Sequence, residues 1–460
     1  MPRASRPLRA TLGASRRLDG RRLWGVSREL RLAEVAAGTA LGERREGLRG
    51  RSVLLRTESP LAAALGLIEL DGLARRIVIC PPDMKDEALP GVCAAAEIDA
   101  VACECATLAI QALGAPLATL GATFQPLAGQ DDDTLTTEWV MFTSGTTGAP
   151  KMVLHTLDGL TGAIKPPEPG APPPVWATFY DIRRYGGLQI LLRALLGEGS
   201  MALSEPGEPL ADQLARFGRH GVTHLTGTPS HWRQMLVSPE AASLRCGYVR
   251  LSGEVADQAV LDALRARFPE ATIIHAYAST EAGVGFEVND RLEGFPANYV
   301  DQAAGEVELR VVDGTLRLRS RRAATTYVNP DQPALVDAEG FVDSRDMVER
   351  HGDRFYFVGR RDGVINVGGL KVHPEEVEAV INRHPAVRAS RVKARRNPFT
   401  GEIVVAEVVL ADAAVDEATV RAEILSVCRR ELAPHKAPAS VRFVPALAMT
   451  ASGKLERAGA

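Results

Sequence analysis

Short apolar runs separated by helical patterns recur along most of the chain, and that alternation restricts its fold more than any other feature. Ser52 to Leu55 and Ile77 to Cys80 read as buried strands, Ser59 to Leu70 as a helix, and Glu138 to Phe142 as another strand. Strands spaced by helices predict a parallel sheet with helices packed on it. In GVTHLTGTPSHW, YVRLSGEV and ATIIHAYASTEAG, an apolar strand again runs into a loop of small residues. The segment KPPEPGAPPP, residues 165–174, cannot be helical and reads as an exposed connection.

The pattern changes from about Gly305 to Leu318, where Val and Leu alternate with charge. That alternation predicts antiparallel strands with one buried face. After Arg361 a small α+β unit is expected. Pro374 suits the first position of a helix that carries Val377, Val380 and Ile381 on one face. A strand pair around Ser390–Ala394 and Ile403–Leu410 follows, then a helix from Thr419 to Leu432. The expected architecture is α/β: a large N-terminal domain of layered α/β subdomains with an antiparallel β portion, residues 1–361, and a small mobile α+β domain, residues 362–460. A chain of 460 residues is long for one core, which agrees with more than one domain.

Composition excludes several partners. The formal net charge of −3 gives no general attraction to nucleic acid or to an anionic membrane. No apolar run reaches the ~20 residues that span a bilayer. The Arg-, Ser- and Ala-rich start lacks the apolar core of a secretory signal and reads as an ordinary terminus. Six cysteines, with Cys103 and Cys105 too close for a CxxC pair, match no zinc-ligand spacing and are expected as reduced thiols. A cytoplasmic enzyme is the expectation.

The stretch FTSGTTGAPKM, residues 142–152, offers backbone amides and hydroxyls to an anion. Gly145 and Gly148 allow close approach to phosphate oxygens. It is not a Walker loop, because Pro150 precedes Lys151 and Met152 follows it. For such a loop alone, a solvated turn is the alternative reading. Four further stretches alter that reading: Tyr277-Ala278-Ser279-Thr280-Glu281 after a strand, Asp346 within FVDSRDMVER, Gly359-Arg360-Arg361-Asp362, and the terminal Thr450, Ser452, Gly453 and Lys454.

In this order and spacing, together with GTPSHWRQML and LSGE, the set resembles the adenylate-forming superfamily of acyl-CoA synthetases, luciferases and peptide-synthetase adenylation domains. The resemblance spans roughly Glu138 to Arg457. It implies activation of a carboxylic acid by ATP to an acyl-adenylate, followed by transfer to a thiol: an acid–thiol ligase, AMP-forming. The acceptor it implies is coenzyme A, or the phosphopantetheine arm of a separate acyl carrier protein. A non-catalytic nucleotide-binding sensor is a further reading, disfavoured by retention of the charged residues.

Residue roles follow from the resemblance. Thr143, Ser144, Gly145, Thr146, Thr147, Gly148 and Lys151 would hold the β- and γ-phosphates of ATP. Thr280 would meet the α-phosphate, and Glu281 would hold Mg²⁺. Tyr277 would flank the adenine, while Asp346 and Arg360 would serve the ribose. Lys454 would reach both the acyl carboxylate and the α-phosphate. Asp362 would be the hinge on which the small domain turns, with Gly368 and Gly369 near the thiol's approach.

The chain departs from the family at Ala278, at Ser344-Arg345 where Thr-Gly is usual, and at Asn366 where Lys is frequent. Its region before the phosphate loop is short, which is expected of a trimmed or specialised member. Where acyl-CoA synthetases often carry an aromatic-His-x-Gly stretch beside the acyl pocket, the resemblance places TFYDIRRYGGLQ. Arg183 or Arg184 facing the pocket would pair with a second carboxylate, and Asp181 would favour an amino acid. All three are equally readable as solvated or paired with one another.

Overall fold

The computed structural model describes residues 6–15, 17–121, 123–127, 134–143, 151–301, 306–398, 400–412, 414–450 and 455–456. Two mainly parallel sheets dominate the large domain. One is 7-stranded, in the order Thr326–Tyr327, Lys151–Thr156, Glu138–Thr143, Arg76–Ile79, Ser52–Arg56, Ala100–Cys103 and Leu117–Thr119. The other is 8-stranded, in the order Gly283–Val288, Thr272–Ser279, Tyr248–Ser252, His224–Gly227, Val175–Thr178, Ser200–Ala202, Arg22–Trp24 and Glu29–Arg31. Antiparallel pairs occur only towards sheet edges, where hairpins suffice to connect them.

The helix between the first two strands of the chain's 7-stranded sheet runs Pro60–Leu70, as its sequence predicts. Ser59 caps it by accepting a hydrogen bond from Leu61 N, and Pro60 opens its first turn. Every residue of this helix is buried, including Glu69. The charge of Glu69 is met by Arg9, 3.3 Å away, from the helix Leu8–Gly13. The terminus is therefore built into the core: Leu8 and Leu12 are each 1% exposed, and Leu8 N donates to Asp71 Oδ2 at 2.8 Å. Arginine-rich composition had concealed this i, i+4 apolar pair.

A 5-stranded antiparallel sheet contains the predicted Val307–Val312 and Thr315–Ser320 strands with Val342–His351 and Arg354–Arg360. The small domain has its own 5-stranded sheet and its own core, from Ile365 and Val372 to Val441, under the helices Pro374–Ile381 and Glu417–Glu431. Val377 and Ile381 are buried there as the sequence pattern requires. All six cysteines are free thiols. Among the described residues no helix is long and apolar enough to cross a membrane.

Candidate active site

The strand Thr272–Ser279 ends in the turn 280–282 and returns as Gly283–Val288, with Ser279 opposite Gly283. Glycine is required at 283, where φ is +76° and a Cβ would meet the Arg322 carbonyl oxygen at 2.2 Å. His155, from the other sheet, places Nε2 2.8 Å from the Thr280 carbonyl oxygen. Burial lowers the His155 pKa to about 4, so the ring is neutral at ordinary pH and Nε2 carries the donated proton. Ala324 N donates to the Glu281 carbonyl oxygen at 2.9 Å. The turn bearing Thr280 and Glu281 is thus gripped from two sides.

Glu281 also lies near Tyr327, whose hydroxyl is pushed up by burial and then by the Glu281 charge, with Arg345 acting in the opposite sense. Lys151 Nζ stands 5.9 Å from the centre of the Tyr327 ring. Thr143 and Lys151 are direct partners across the antiparallel strand pair, so the two ends of the phosphate-loop motif meet. Ser144, Gly145, Thr146, Thr147 and Gly148 lie outside the described residues.

Asp346 and Arg360 face one another across the Val342–His351 and Arg354–Arg360 strands, with Arg360 Nε 3.8 Å from Asp346 Oδ1. A bulge at Met347/Val348 sets this register. Arg345 takes φ +60°, the left-handed conformation that favours the family's glycine. Asp343 Oδ1 accepts from Arg345 N at 2.9 Å and Ser344 Oγ from Asp346 N at 3.1 Å, fixing the turn despite the substitution. Tyr277 donates its hydroxyl to Asp346 Oδ2 at 2.5 Å. Its ring lies nearly parallel to Phe286 and Phe357, with centroids 5.5 and 5.2 Å away.

Lys454 lies outside the described residues, but its neighbour Leu455 does not. Leu455 N donates to Glu254 Oε1 at 2.9 Å, and Ser230 N donates to Glu254 Oε2 at the same distance. One carboxylate therefore joins the C-terminal residues to the GTPSHW segment and the LSGE loop of the large domain. Arg391 Nη1 donates to the Glu456 carbonyl oxygen at 2.7 Å from the small-domain side. Asp362 falls in the turn Arg361–Gly363, its side chain outside the description. Gly368 and Gly369, at φ +59° and +87°, form the two-residue link between Ile365–Val367 and Leu370–Val372. Asn366 Oδ1 accepts from Gly369 N at 2.9 Å, giving the departure from lysine a local task.

Asp181 and Arg183 are paired with each other. Arg183, 1% exposed, donates from Nε and Nη2 to the two Asp181 oxygens at 2.9 and 2.6 Å. Its Nη1 donates to the Thr57 and Glu58 carbonyl oxygens at 2.6 and 2.9 Å. Arg184 pairs with Asp83. These charges tie the start of the helix Tyr185–Leu196 to the loops that follow strands of the 7-stranded sheet. A different pair, missed in the sequence, lies where the helix Tyr185–Leu196 meets the 8-stranded sheet: Arg250 and Arg193 share the carboxylate of Glu287. Their signal was a lone arginine inside each of two apolar runs, YVRLS and LQILLRALL.

The comparisons agree with this architecture. Residues 76–323 match the AMP-binding enzyme family and residues 376–454 the AMP-binding enzyme C-terminal domain. The chain belongs to the AMP-binding enzyme family, the adenylate-forming class of AMP-forming acid–thiol ligases. Mitochondrial acyl-coenzyme A synthetase ACSM2B of Homo sapiens is 26% identical over 400 residues, covering 78% of this chain and 68% of its own. Benzoate–CoA ligase of Thauera aromatica is 26% identical over 369 residues, covering 75% and 69%. In fold, the chain is similar to ATP-bound MatB from Rhodopseudomonas palustris, with TM-score 0.76, 20% identity, and 98% and 97% of the two chains covered.

Proposed function

We propose that this enzyme activates a carboxylic acid with ATP to an acyl-adenylate and passes the acyl group to coenzyme A. The observation that carries the reading is the Glu254–Leu455 hydrogen bond, which brings the residue next to Lys454 up to the strand-end loops of the large domain. The relatives' names, acyl-coenzyme A synthetase and benzoate–CoA ligase, favour coenzyme A as the thiol.

Residues 1–361 would form the nucleotide-binding unit and 362–460 the unit that carries Lys454, turning at Asp362. Asp346 would accept the ribose hydroxyls with Arg360 beside it, and Tyr277 would line the adenine side. The Thr143–Lys151 loop would hold the departing phosphates, with Thr280 at the α-phosphate. Lys454 would neutralise charge shared by the acyl carboxylate and the α-phosphate. The carboxylate oxygen attacks the α-phosphorus and the bond to the bridging oxygen breaks, releasing pyrophosphate. The mixed anhydride then has AMP as a leaving group, which the thiol sulfur displaces at the acyl carbon. No covalent bond to the enzyme is needed, so the chain's contribution is positioning and charge stabilisation.

Glu281 suits Mg²⁺, because a single carboxylate with phosphate and water oxygens is an ordinary set for that ion. Among the described residues no group of three His, Cys, Asp or Glu offers an all-protein metal cage. When bound, the ion supplies charge neutralisation on pyrophosphate.

The test is product analysis with ATP, an acid and coenzyme A. AMP, pyrophosphate and loss of free thiol in equal amounts are expected. ADP as the product would refute the reading.

A further inference from the structure

The helix Tyr185–Leu196 is buried almost all round, yet one of its stripes is polar. Tyr185, Gln189 and Arg193 follow one another at i, i+4 and i+8 and so share a face. Tyr185 is 6% and Gln189 4% exposed, and the Arg193 side chain is 11% exposed. That face turns towards the region where the two large sheets approach. The Tyr185 ring lies 5.5 Å from His155 of one sheet, and Arg193 Nη2 lies 3.4 Å from Glu287 Oε1 of the other.

Arg250 adds a second guanidinium. It stands in the middle of the parallel strand Tyr248–Ser252, 5% exposed, and its Nη1 donates to the same Glu287 oxygen. Two cations therefore share one carboxylate, leaving an excess positive charge beneath the Thr280–Glu281 turn. Lys165 contributes a further cation to the field at Glu287. Buried charge is costly unless it is neutralised.

Hydrogen-bonding capacity is left over as well. Arg193 Nε, Gln189 Oε1 and His155 Nδ1 are buried and have no hydrogen-bond partner among the described residues. Buried polar atoms are rarely left so, and two of the three belong to the polar stripe of this one helix. Glu287 is opposite Ala276, four residues before Thr280 and so about 13 Å of strand from it. An acid with its activated end at Thr280 would need a skeleton of medium length to bring a second polar end towards that depth.

We propose that Arg193 and Arg250 receive a second carboxylate on the acyl substrate, so that the acid activated here is a dicarboxylic acid of medium length. The proposal rests on the reading of the site as one that activates acids. It shifts the task from Arg183 and Arg184, whose bonds are made within the protein, to two arginines with charge to spare. Glu287 then tunes the site, holding the guanidinium groups in place while the substrate is absent and leaving them a net attraction for an anion.

The test is calorimetric binding to the full chain of acids paired by skeleton: adipate with hexanoate, suberate with octanoate, and isophthalate with benzoate. Exchange of pyrophosphate into ATP is followed for the same acids. At least one diacid is expected to bind ten-fold or more tightly than its monoacid, with Arg193→Gln narrowing that gap. Glu287→Gln, which removes the competing carboxylate, is expected to tighten diacid binding; a purely structural ion pair would give the opposite result. Equal affinity within all three pairs, or weaker diacid binding by a folded Glu287→Gln protein, overturns the proposal. Tight diacid binding without exchange leaves it standing and refutes acid activation instead.

Discussion

The Tyr277 hydroxyl donates a 2.5 Å hydrogen bond to Oδ2 of Asp346, joining the strand Thr272–Ser279 to the antiparallel sheet 69 positions further on. Arg360 approaches the other carboxylate oxygen, Oδ1, at 3.8 Å. Asp346 is therefore oriented from two sides before any nucleotide arrives. Tyr277→Phe removes one of these constraints and is expected to raise the KM for ATP several-fold with little change in kcat. Asp346→Ala removes the acceptor itself and is expected to weaken ATP binding by ~10–100-fold, the range of hydrogen bonds to a charged group. Calorimetric titration with ATP checks both, and unaltered affinity in Asp346→Ala would contradict its ribose role.

Glu254 holds Leu455 N and Ser230 N with its two oxygens, both at 2.9 Å. Glu254→Ala is expected to slow acyl-adenylate formation about ten-fold, a loss of ~1.4 kcal/mol in positioning. Thioester formation from added acyl-adenylate is expected to keep its rate. Equal losses in both half-reactions would make Glu254 a helix-end support and nothing more.

Arg183 and Asp181 form a buried pair, with side-chain exposures of 1% and 8%. Arg183→Ala leaves the carboxylate without its partner, which costs roughly 3–5 kcal/mol for buried pairs. The expected result is a clear fall in thermal midpoint. A stable Arg183→Ala protein with a raised KM for the acid would return this arginine to the substrate.

His155, His224 and His231 are each held by burial at a pKa of about 4. Between that value and the ordinary 6.5 of histidine, the unfolded chain binds more protons than the folded one. Stability therefore rises with pH across this window and is lost as pH falls from about 6.5 towards 4, at ~1.4 kcal/mol per pH unit for each ring. Thermal midpoints at pH 7 and pH 5 are expected to show the drop, and His155→Gln a shallower one. A midpoint independent of pH over this range would refute the burial account.

Much of this arrangement was legible because it rests on local rules. Ser59-Pro60 announces a helix start, Pro374 another, and the alternation in EVELRVV a half-buried strand. The charged residues of the proposed site stand in the sequence as an ordered set. Their pairing was not, because Asp346 meets Arg360 only through a bulge that shifts the strand register. Arg193 and Arg250 escaped for a different reason. Apolar neighbours marked their elements as core, and only the folded sheet shows two such arginines meeting at Glu287. For the terminal helix, composition obscured spacing: Leu8 and Leu12 sit among arginines but pack inward.

The central claim is most directly tested by carboxylate-dependent exchange of pyrophosphate into ATP without any thiol, in the unaltered chain and in Lys454→Ala. The account predicts exchange that requires an acid and falls by ~10²–10³ in the variant while ATP binding is kept. Exchange equal in both proteins, or none with any acid from folded protein that binds ATP, would contradict it.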